Sequence, residues 1–179
     1  MGTARKSRVV VGVDDSLAGL EALRFAVAEA RRRGATLRAI RAWRAGPSWS
    51  GTDAGPTRAE LADQAALTIV AAFRQAMGGK PRGVAVEAFA VEGSTVRVLV
   101  TQAEGDDDVL VVGRSRRRRF RPSGVDVQCV RTAQCPVVAV AAPALARTRG
   151  STGLRRDVVS AAEAFLREAV TSPPSPPQR

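Results

Sequence analysis

The chain has 179 residues and a formal net charge of +11, and almost all of its positive charge is arginine. With 45% hydrophobic residues it can build one globular domain with a real core, which excludes a wholly disordered chain. Histidine is absent, and this excludes histidine-based triads, histidine metal sites and histidine proton shuttles. The arginine excess favours anionic partners without selecting one.

The first part of the chain alternates buried strands with an amphipathic helix. Residues 9–13 form an apolar run that predicts a strand, and the acidic turn at residues 14–16 offers short side chains that cap backbone amides. Apolar residues then recur at helical spacing until three arginines and Gly34, which are typical of a helix end. Residues 36–43 predict the second strand.

The middle of the chain predicts a second and a third helix around a strand. A loop rich in Gly, Ser and Pro covers residues 44–56. Thr57 and Glu60 then form a capping box that opens the second helix, and a glycine pair stops it. Residues 84–91 predict the third strand, and the third helix starts near Gly93.

Two buried strands around a basic loop close the predicted domain. Residues 109–112 are a continuous apolar run, typical of a parallel strand covered on both faces. Six of the eight residues from 114 to 121 are arginine, so this loop cannot be core. Ser123, with Asp126 three residues later, predicts the N-cap of a short helix. Residues 137–140 predict the last strand.

Strands that alternate with helices indicate a parallel sheet with helices on both faces. We therefore predict a three-layer α/β fold with a five-stranded parallel sheet over residues 8–142. Residues 1–7 are expected to be a flexible basic lead-in, and residues 143–170 a linker with an amphipathic helix. Residues 171–179 are expected to be a proline-rich disordered tail. The apolar face of the C-terminal helix would pack on its own domain or on a protein partner.

Two stretches carry a resemblance to a known family. One runs from the strand VLVVG at residues 109–113 through the basic loop and short helix to CPVVAV at residues 135–140. The other is VVVGVDDS at residues 9–16. Together they resemble the universal stress protein family, a relative of the doubly wound nucleotide-binding folds. The resemblance implies that strands one and four are neighbours, so that the turn and the loop after them face one crevice.

The resemblance also implies a nucleotide motif, which is damaged here. In the nucleotide-binding branch of the family, the loop after strand four follows G-x2-G-x9-G-[ST], and its glycines let backbone amides approach phosphate. Gly113 matches the first glycine, whereas Arg116 replaces the second. Ser123 and Gly124 lie near the closing pair in reversed order. A shift of one residue matches Gly124 to the glycine but leaves Val125 where a hydroxyl belongs.

Two opposed effects act on phosphate binding at this loop. The arginines supply charge-assisted donors, but ordering a mobile loop costs about 1–2 kcal/mol per backbone residue. A preformed glycine nest avoids most of that cost, so we expect the lost geometry to outweigh the added charge. The arginine run can also be a solvated loop, or it can neutralise polyanions such as nucleic acid without reading sequence.

By resemblance, the carboxylate of Asp14 lies against the nucleoside and the backbone of Ala42 meets the adenine edge. Alternatively, Asp14 or Asp15 only caps the first helix. The candidate nucleotide site is therefore the set Asp14, Ala42, Gly113, Arg116, Ser123 and Gly124, with ATP or ADP as ligand.

No reaction chemistry is visible in the sequence. Cys129 and Cys135 cannot complete a zinc site without further ligands, so we expect no metal and two buried thiols in a reducing cytosol. No nucleophile–base pair is apparent, so the chain is not expected to be an enzyme, beyond slow ATP hydrolysis by resemblance.

Two functional hypotheses follow from the sequence. The first is a non-enzymatic, dimeric stress-response or regulatory module whose nucleotide binding is weakened or lost. The second is a nucleotide-responsive sensor that binds ATP or ADP. The resemblance implies a homodimer, and we predict that it pairs through the last strand, Val137–Ala141. With no signal peptide and no apolar run long enough to span a membrane, a cytoplasmic location is expected.

Overall fold

A computed structural model describes residues 7–46, 55–114 and 124–143. In these ranges strands and helices alternate as β1 (Arg8–Gly12), α1 (Leu17–Arg33), β2 (Thr36–Trp43), α2 (Arg58–Met77), β3 (Val86–Glu92), α3 (Thr95–Gln102), β4 (Val109–Gly113), α4 (Val125–Thr132) and β5 (Val137–Val140). The chain divides into two compact units, Met1–Ala142 and Pro143–Arg179, and the first contains all of these elements.

Several predicted features lie outside the described residues. They are the lead-in over residues 1–6, the arginine run from residue 116 to 121, and the C-terminal helix and proline-rich tail. The predictions about a protein partner at that helix and about polyanion binding at the arginine run therefore stay predictions.

The five strands form one parallel sheet in the order β3-β2-β1-β4-β5. Val10 of β1 pairs with Arg38 of β2 on one side and with Leu110 of β4 on the other. The predicted fold class and the predicted neighbours, strands one and four, are confirmed. From β1 the chain winds outward to β3 on one side and to β5 on the other, so the strand order reverses at β1 and β4. Such a reversal opens a crevice at the carboxyl ends of the strands.

Each face of the sheet carries a hydrophobic layer, because alternate strand residues point to opposite faces. Val9 and Val11 of β1 face α1 and α2, with Leu23 and Phe73 in the same buried cluster. Val10 faces the other way and joins a cluster that α3 and α4 cover. The apolar face predicted for the first helix is buried at all four positions: Leu20, Leu23, Val27 and Ala30.

The helix ends follow local chemistry at most positions. Thr57 and Glu60 form the predicted capping box, in which each side chain accepts a hydrogen bond from the other residue's backbone amide. Gly34 ends α1 with a φ of 62°, a left-handed conformation that glycine adopts without penalty. The strand predicted over residues 84–91 is displaced by one or two residues, since β3 spans Val86–Glu92.

The predicted N-cap of α4 is wrong by one residue. The helix begins at Val125, its N-cap is Gly124 rather than Ser123, and no side chain makes a cap hydrogen bond. Glycine is tolerated at an N-cap because it reaches the required backbone conformation at a loss of only a few tenths of a kcal/mol against serine.

Candidate functional site

A crevice of about 190 Å³ opens at the carboxyl ends of β1, β2 and β4, where the strand order reverses. Asp14, Ala42 and Gly113 all line it. Three distant parts of the chain are thus brought together as the sequence predicts. Of the other candidate residues, Gly124 precedes Val125, which lines the crevice, whereas Arg116 and Ser123 lie outside the described residues.

Asp14 is held by the turn that leads into α1. Its Oδ1 accepts hydrogen bonds from the backbone nitrogen of Ser16 at 2.8 Å and from the Ser16 hydroxyl at 2.5 Å. The Ser16 hydroxyl oxygen in turn accepts from the Gly19 nitrogen at 2.9 Å, which makes Ser16 the N-cap of α1. The alternative that an aspartate caps this helix is therefore wrong. Asp14 instead orients the cap, and the turn holds its carboxylate at the crevice.

Packing alone accounts for a glycine at position 113. A Cβ atom at this position would lie 2.7 Å from the nitrogen of Gly19 and 2.9 Å from the carbonyl carbon of Ala18. Both are backbone atoms of α1, so they cannot turn away as a side chain can. Gly19 is tight as well, because its Cβ would lie 2.0 Å from Oδ1 of Asp14. The first glycine of the damaged motif thus has a structural role that does not depend on phosphate.

Arg41 is a crevice residue that sequence reasoning did not single out. Its Nη1 donates a hydrogen bond to the carbonyl oxygen of Val13 at 3.1 Å. The contact ties β2 to the residue before Asp14 and adds a guanidinium to the crevice. The sequence does show an arginine near the end of the second strand. It indicates a crevice residue only when β2 is known to lie beside β1.

Asp126 is the second residue that sequence reasoning did not place at the site, since the sequence predicted it only as the partner of Ser123 in a capping pattern that makes no cap hydrogen bond in the structure. It lies in the first turn of α4, next to Val125, and the residue is only 8% exposed. Within the described ranges no donor lies within hydrogen-bond distance of its buried Oδ1. A carboxylate here opposes the positive end of the α4 dipole, the feature that would otherwise attract a phosphate.

The two thiols are buried, as predicted. Burial, followed by the charge of Asp126, raises the pKa of Cys129 to about 11. Burial also raises the pKa of Cys135. Both groups therefore stay protonated at neutral pH, and a thiol is a poor nucleophile compared with a thiolate. In the part of the chain described here, no cluster of three or more His, Cys, Asp or Glu side chains could hold a metal ion. Nor does any described helix combine the length and the apolar character that crossing a membrane requires.

Solved structures that resemble this chain include universal stress proteins. A universal stress protein in complex with cAMP is 24% identical, with a TM-score of 0.58 over 78% of this chain and 100% of that one. The universal stress protein UspA from Lactobacillus plantarum is 22% identical, with a TM-score of 0.54 over 77% and 99% of the two chains. A search of curated proteins found no match.

The sequence profile of the Universal stress protein family matches residues 6–141, which is most of the chain. The structural neighbours share the fold that the strand order and the crevice define. The chain belongs to the universal stress protein family.

Proposed function

We propose that this universal stress protein is a non-enzymatic stress-response or regulatory module whose crevice is a weakened site for adenine nucleotides. The observation that carries the proposal is Asp126. A buried carboxylate occupies the first turn of the helix whose positive end would face a phosphate, and no described donor satisfies its Oδ1. The rest of the crevice still has the features that a nucleoside needs.

The residues expected around the ribose and the base support weak but retained binding of a nucleotide. The turn holds the carboxylate of Asp14 at the crevice, where it can accept hydrogen bonds from a ribose. Ala42 lines the same crevice, where a backbone group at a strand end can meet a base edge. A relative of the same fold has been crystallised with cAMP, which is consistent with a nucleotide at this place.

The residues expected around the phosphates support weakened nucleotide binding. The second glycine of the motif is Arg116, and the closing hydroxyl and glycine are reversed at Ser123 and Gly124. Asp126 adds a negative charge at the start of α4. The guanidinium of Arg41 offsets part of this charge, but one of its donors is already engaged by Val13.

A role without catalysis is supported by the chemistry of the described residues. The thiols of Cys129 and Cys135 are buried, and their raised pKa keeps them protonated. Asp14, the described carboxylate at the crevice, is engaged in orienting the N-cap of α1. We therefore assign no hydrolytic step to this chain. We propose separately that it acts in the cytoplasm.

Calorimetric titration with ATP and ADP tests the proposal, using the wild type, Asp14→Ala and the control Asp15→Ala. Asp15 is an exposed neighbour in the same turn, so its variant makes the same charge change without altering a crevice-lining residue. We expect millimolar binding that Asp14→Ala abolishes and Asp15→Ala retains. Binding that ignores Asp14 and fades with salt would reflect charge alone and would overturn the site.

Micromolar binding that depends on Asp14 would instead favour the second function, an ATP- or ADP-responsive sensor. The surviving crevice, with Asp14, Ala42 and Gly113 together, is the observation in its favour. In that case the arginines of the loop would have replaced the missing glycine as phosphate ligands.

We also propose a homodimer that pairs through the last strand, Val137–Ala141. The support is that β5 forms one edge of the sheet and carries exposed Ala139 between half-buried valines. Val140→Asp would place a charge on this edge and should yield monomers in solution scattering. An unchanged mass would count against pairing at β5.

A further inference from the structure

The backbone of β3 presents one row of hydrogen-bonding groups to the open edge of the sheet. Just before β3, the carbonyl oxygen of Ala85 accepts from the nitrogen of Leu37 in β2 at 2.9 Å. Just after β3, the nitrogen of Gly93 donates to the carbonyl oxygen of Trp43 in β2 at 2.8 Å. Because successive residues of a strand turn their backbone groups to opposite sides, the even-numbered residues of β3 turn away from β2. Among the described strands none pairs with this outer row, which belongs to Val86, Ala88, Ala90 and Glu92.

An apolar groove of about 290 Å³ lies beside this row, between α2 and β3. Its most buried lining residues are Ile69 and Phe73 of α2, which are 3% and 7% exposed. Val70 of α2 lines it at 53% exposure, and Val86 and Ala88 line it from β3. No described residue of β2 is part of the lining, so the groove opens at the edge of the sheet. The same β3 residues therefore turn their side chains to the groove and their backbone groups to the open edge.

Positive charge collects at the amino end of β3, where the groove continues into a second one. Gly79 and Lys80 line both the apolar groove and an adjoining groove of about 670 Å³, which Arg31 and Arg82 also line. Arg31 is held in place, because its Nε and Nη2 donate to the carbonyl oxygen of Arg82 at 3.1 and 2.7 Å. Arg31, Lys80 and Arg82 form no ion pair with a described carboxylate. Neither groove has an acidic side chain among its described lining residues, so this end attracts a negative group.

We propose that the β3 edge binds an extended peptide of a partner protein, with apolar side chains at alternate positions and acidic groups at its carboxyl end. An edge strand pairs readily with an added strand, and a groove beside the edge accepts every second side chain of that strand. The charges set its direction. A peptide antiparallel to β3 brings its carboxyl end to Lys80, whereas at the other end of β3 Glu92 is already paired with Arg58.

Backbone pairing distinguishes a peptide from an anionic amphiphile such as a fatty acid. An alkyl chain with a negative head group would fill the apolar groove and meet Lys80, but it would leave the outer row of β3 without partners. A peptide satisfies the backbone row, the apolar groove and the basic end together. The three features lie side by side along one strand, because Val86 and Ala88 belong to both the row and the groove.

Fluorescence anisotropy with a labelled peptide tests the proposal. The probe SVSVTVEE has valine at every second position and ends in two glutamates and a free carboxylate. Two amidated controls change only the charge: SVSVTVKK reverses its sign, and EEVTVSVS moves the acids to the amino end. We expect saturable binding of the probe and binding weaker by about tenfold or more for both controls.

N-methylation of the probe separates strand pairing from simple occupation of the groove. In an antiparallel pair, the residues opposite the outward-facing residues of β3 exchange both backbone hydrogen bonds with them, and their side chains share one face. The valines are therefore the residues whose amides must remain free. N-methylation of the middle valine should weaken binding by about tenfold or more, and N-methylation of the serine before it by about twofold or less.

Variants of the full chain locate the binding surface. Lys80→Glu should weaken probe binding by about tenfold or more, and Arg131→Glu, at an exposed position of α4, is its matched control. Val70→Asp places a carboxylate in the apolar groove and should have a similar effect. Val130→Asp is its control, since Val130 of α4 is 58% exposed and does not line the groove. Circular dichroism of every variant separates a lost surface from a lost fold.

Several results would overturn the proposal. They are equal binding of the three peptides, full binding of the probe methylated on valine, and equal losses in Val70→Asp and Val130→Asp. Sedimentation equilibrium in a Val140→Asp background, which removes pairing at β5, adds one more. A mass that rises with concentration and falls in Val70→Asp would assign the edge to a second copy of the chain. None of these measurements involves ATP or the crevice, so failure here and failure of the nucleotide site are distinguishable.

Discussion

A buried aspartate lies near each end of the β1–β4 pair, and the two differ in the hydrogen bonds that their carboxylates accept. At the amino end, Asp108 is 2% exposed and its carboxylate accepts from the Arg8 backbone at 3.0 Å, the Arg8 guanidinium at 2.7 Å and the Gly105 backbone at 3.0 Å. At the carboxyl end, Asp126 is 8% exposed and its Oδ1 has no donor among the described residues. The satisfied carboxylate of Asp108 supports the fold. The Oδ1 atom of Asp126, next to the crevice residue Val125, lacks the hydrogen bond that would offset its burial.

Asp108→Ala tests this contrast and should have the largest effect, on the free energy of unfolding. The variant leaves the largely buried guanidinium of Arg8, 12% exposed, without its carboxylate partner. Breaking a buried pair on one side costs roughly 3–5 kcal/mol, and we expect a loss of that order in the free energy of unfolding by urea. Exposed Asp107→Ala is the control and should change stability by about 0.5 kcal/mol or less. Equal effects of the two variants would remove the contrast.

Gly113→Ala probes the carboxyl end, where β4 meets α1. The added methyl would lie 2.7 Å from the nitrogen of Gly19, so β4 or α1 must shift. Overpacking of this kind costs about 1–3 kcal/mol, measurable by thermal or urea unfolding without any ligand. Gly46→Ala is the matched control, since its methyl would meet no described atom within 4 Å. If Gly113→Ala were as stable as the control, the glycine would be there for a ligand alone.

Asp126→Asn sharpens the comparison, because it removes the charge and keeps the shape. We expect ATP and ADP to bind roughly two- to fivefold more tightly, the equivalent of about 0.3–1 kcal/mol for a charge at a helix terminus. Calorimetry measures the change. Stability should move little, because Oδ1 makes no hydrogen bond with a described donor, whereas the lost charge was favourable to the helix dipole. Unchanged or weaker nucleotide binding would show that this carboxylate does not weaken the site.

The smallest expected effect is that of Glu29→Gln. Side-chain hydrogen bonds from Arg32 and then Arg33 lower the pKa of Glu29 from 4.5 to about 2. Because the folded state has the lower pKa, the stabilisation is complete above about pH 4.5 and is lost as the pH falls towards 2. Arg32 is well exposed, so water screens this pair far more than Arg8–Asp108. Unfolding midpoints of wild type and variant should differ slightly at neutral pH and converge in acid; a constant difference would contradict this account.

Much of the fold could be predicted because its signals are local. Thr57 and Glu60 sit three residues apart and cap each other's backbone, so a capping box can be recognised before any tertiary contact is known. The apolar run at Val109–Val112 predicts a strand buried on both faces, and all four residues are buried. Ser123 failed as a cap since the neighbouring glycine could serve almost equally well, and the local energy difference is small.

The crevice was only partly predictable. Asp14, Ala42 and Gly113 were singled out by resemblance, and they do meet in the structure. Arg41 was not identified, and Asp126 was identified only as part of a helix cap, for a common reason. The contact of Arg41 with Val13 crosses between two strands, and the burial of Asp126 depends on how α4 packs.

By itself, the sequence determined which stretches form strands and helices, with ends correct to within one or two residues, together with their parallel α/β arrangement and the excess of arginine. These features depend on neighbours within one turn or one strand. Only the tertiary structure decided that Gly113 must be glycine, since the constraint is the backbone of α1, more than ninety residues earlier. It also decided which carboxylate is satisfied: Asp108 meets Arg8 across one hundred residues of chain. Burial and long-range hydrogen bonds arise only when distant segments pack, and no local pattern encodes them.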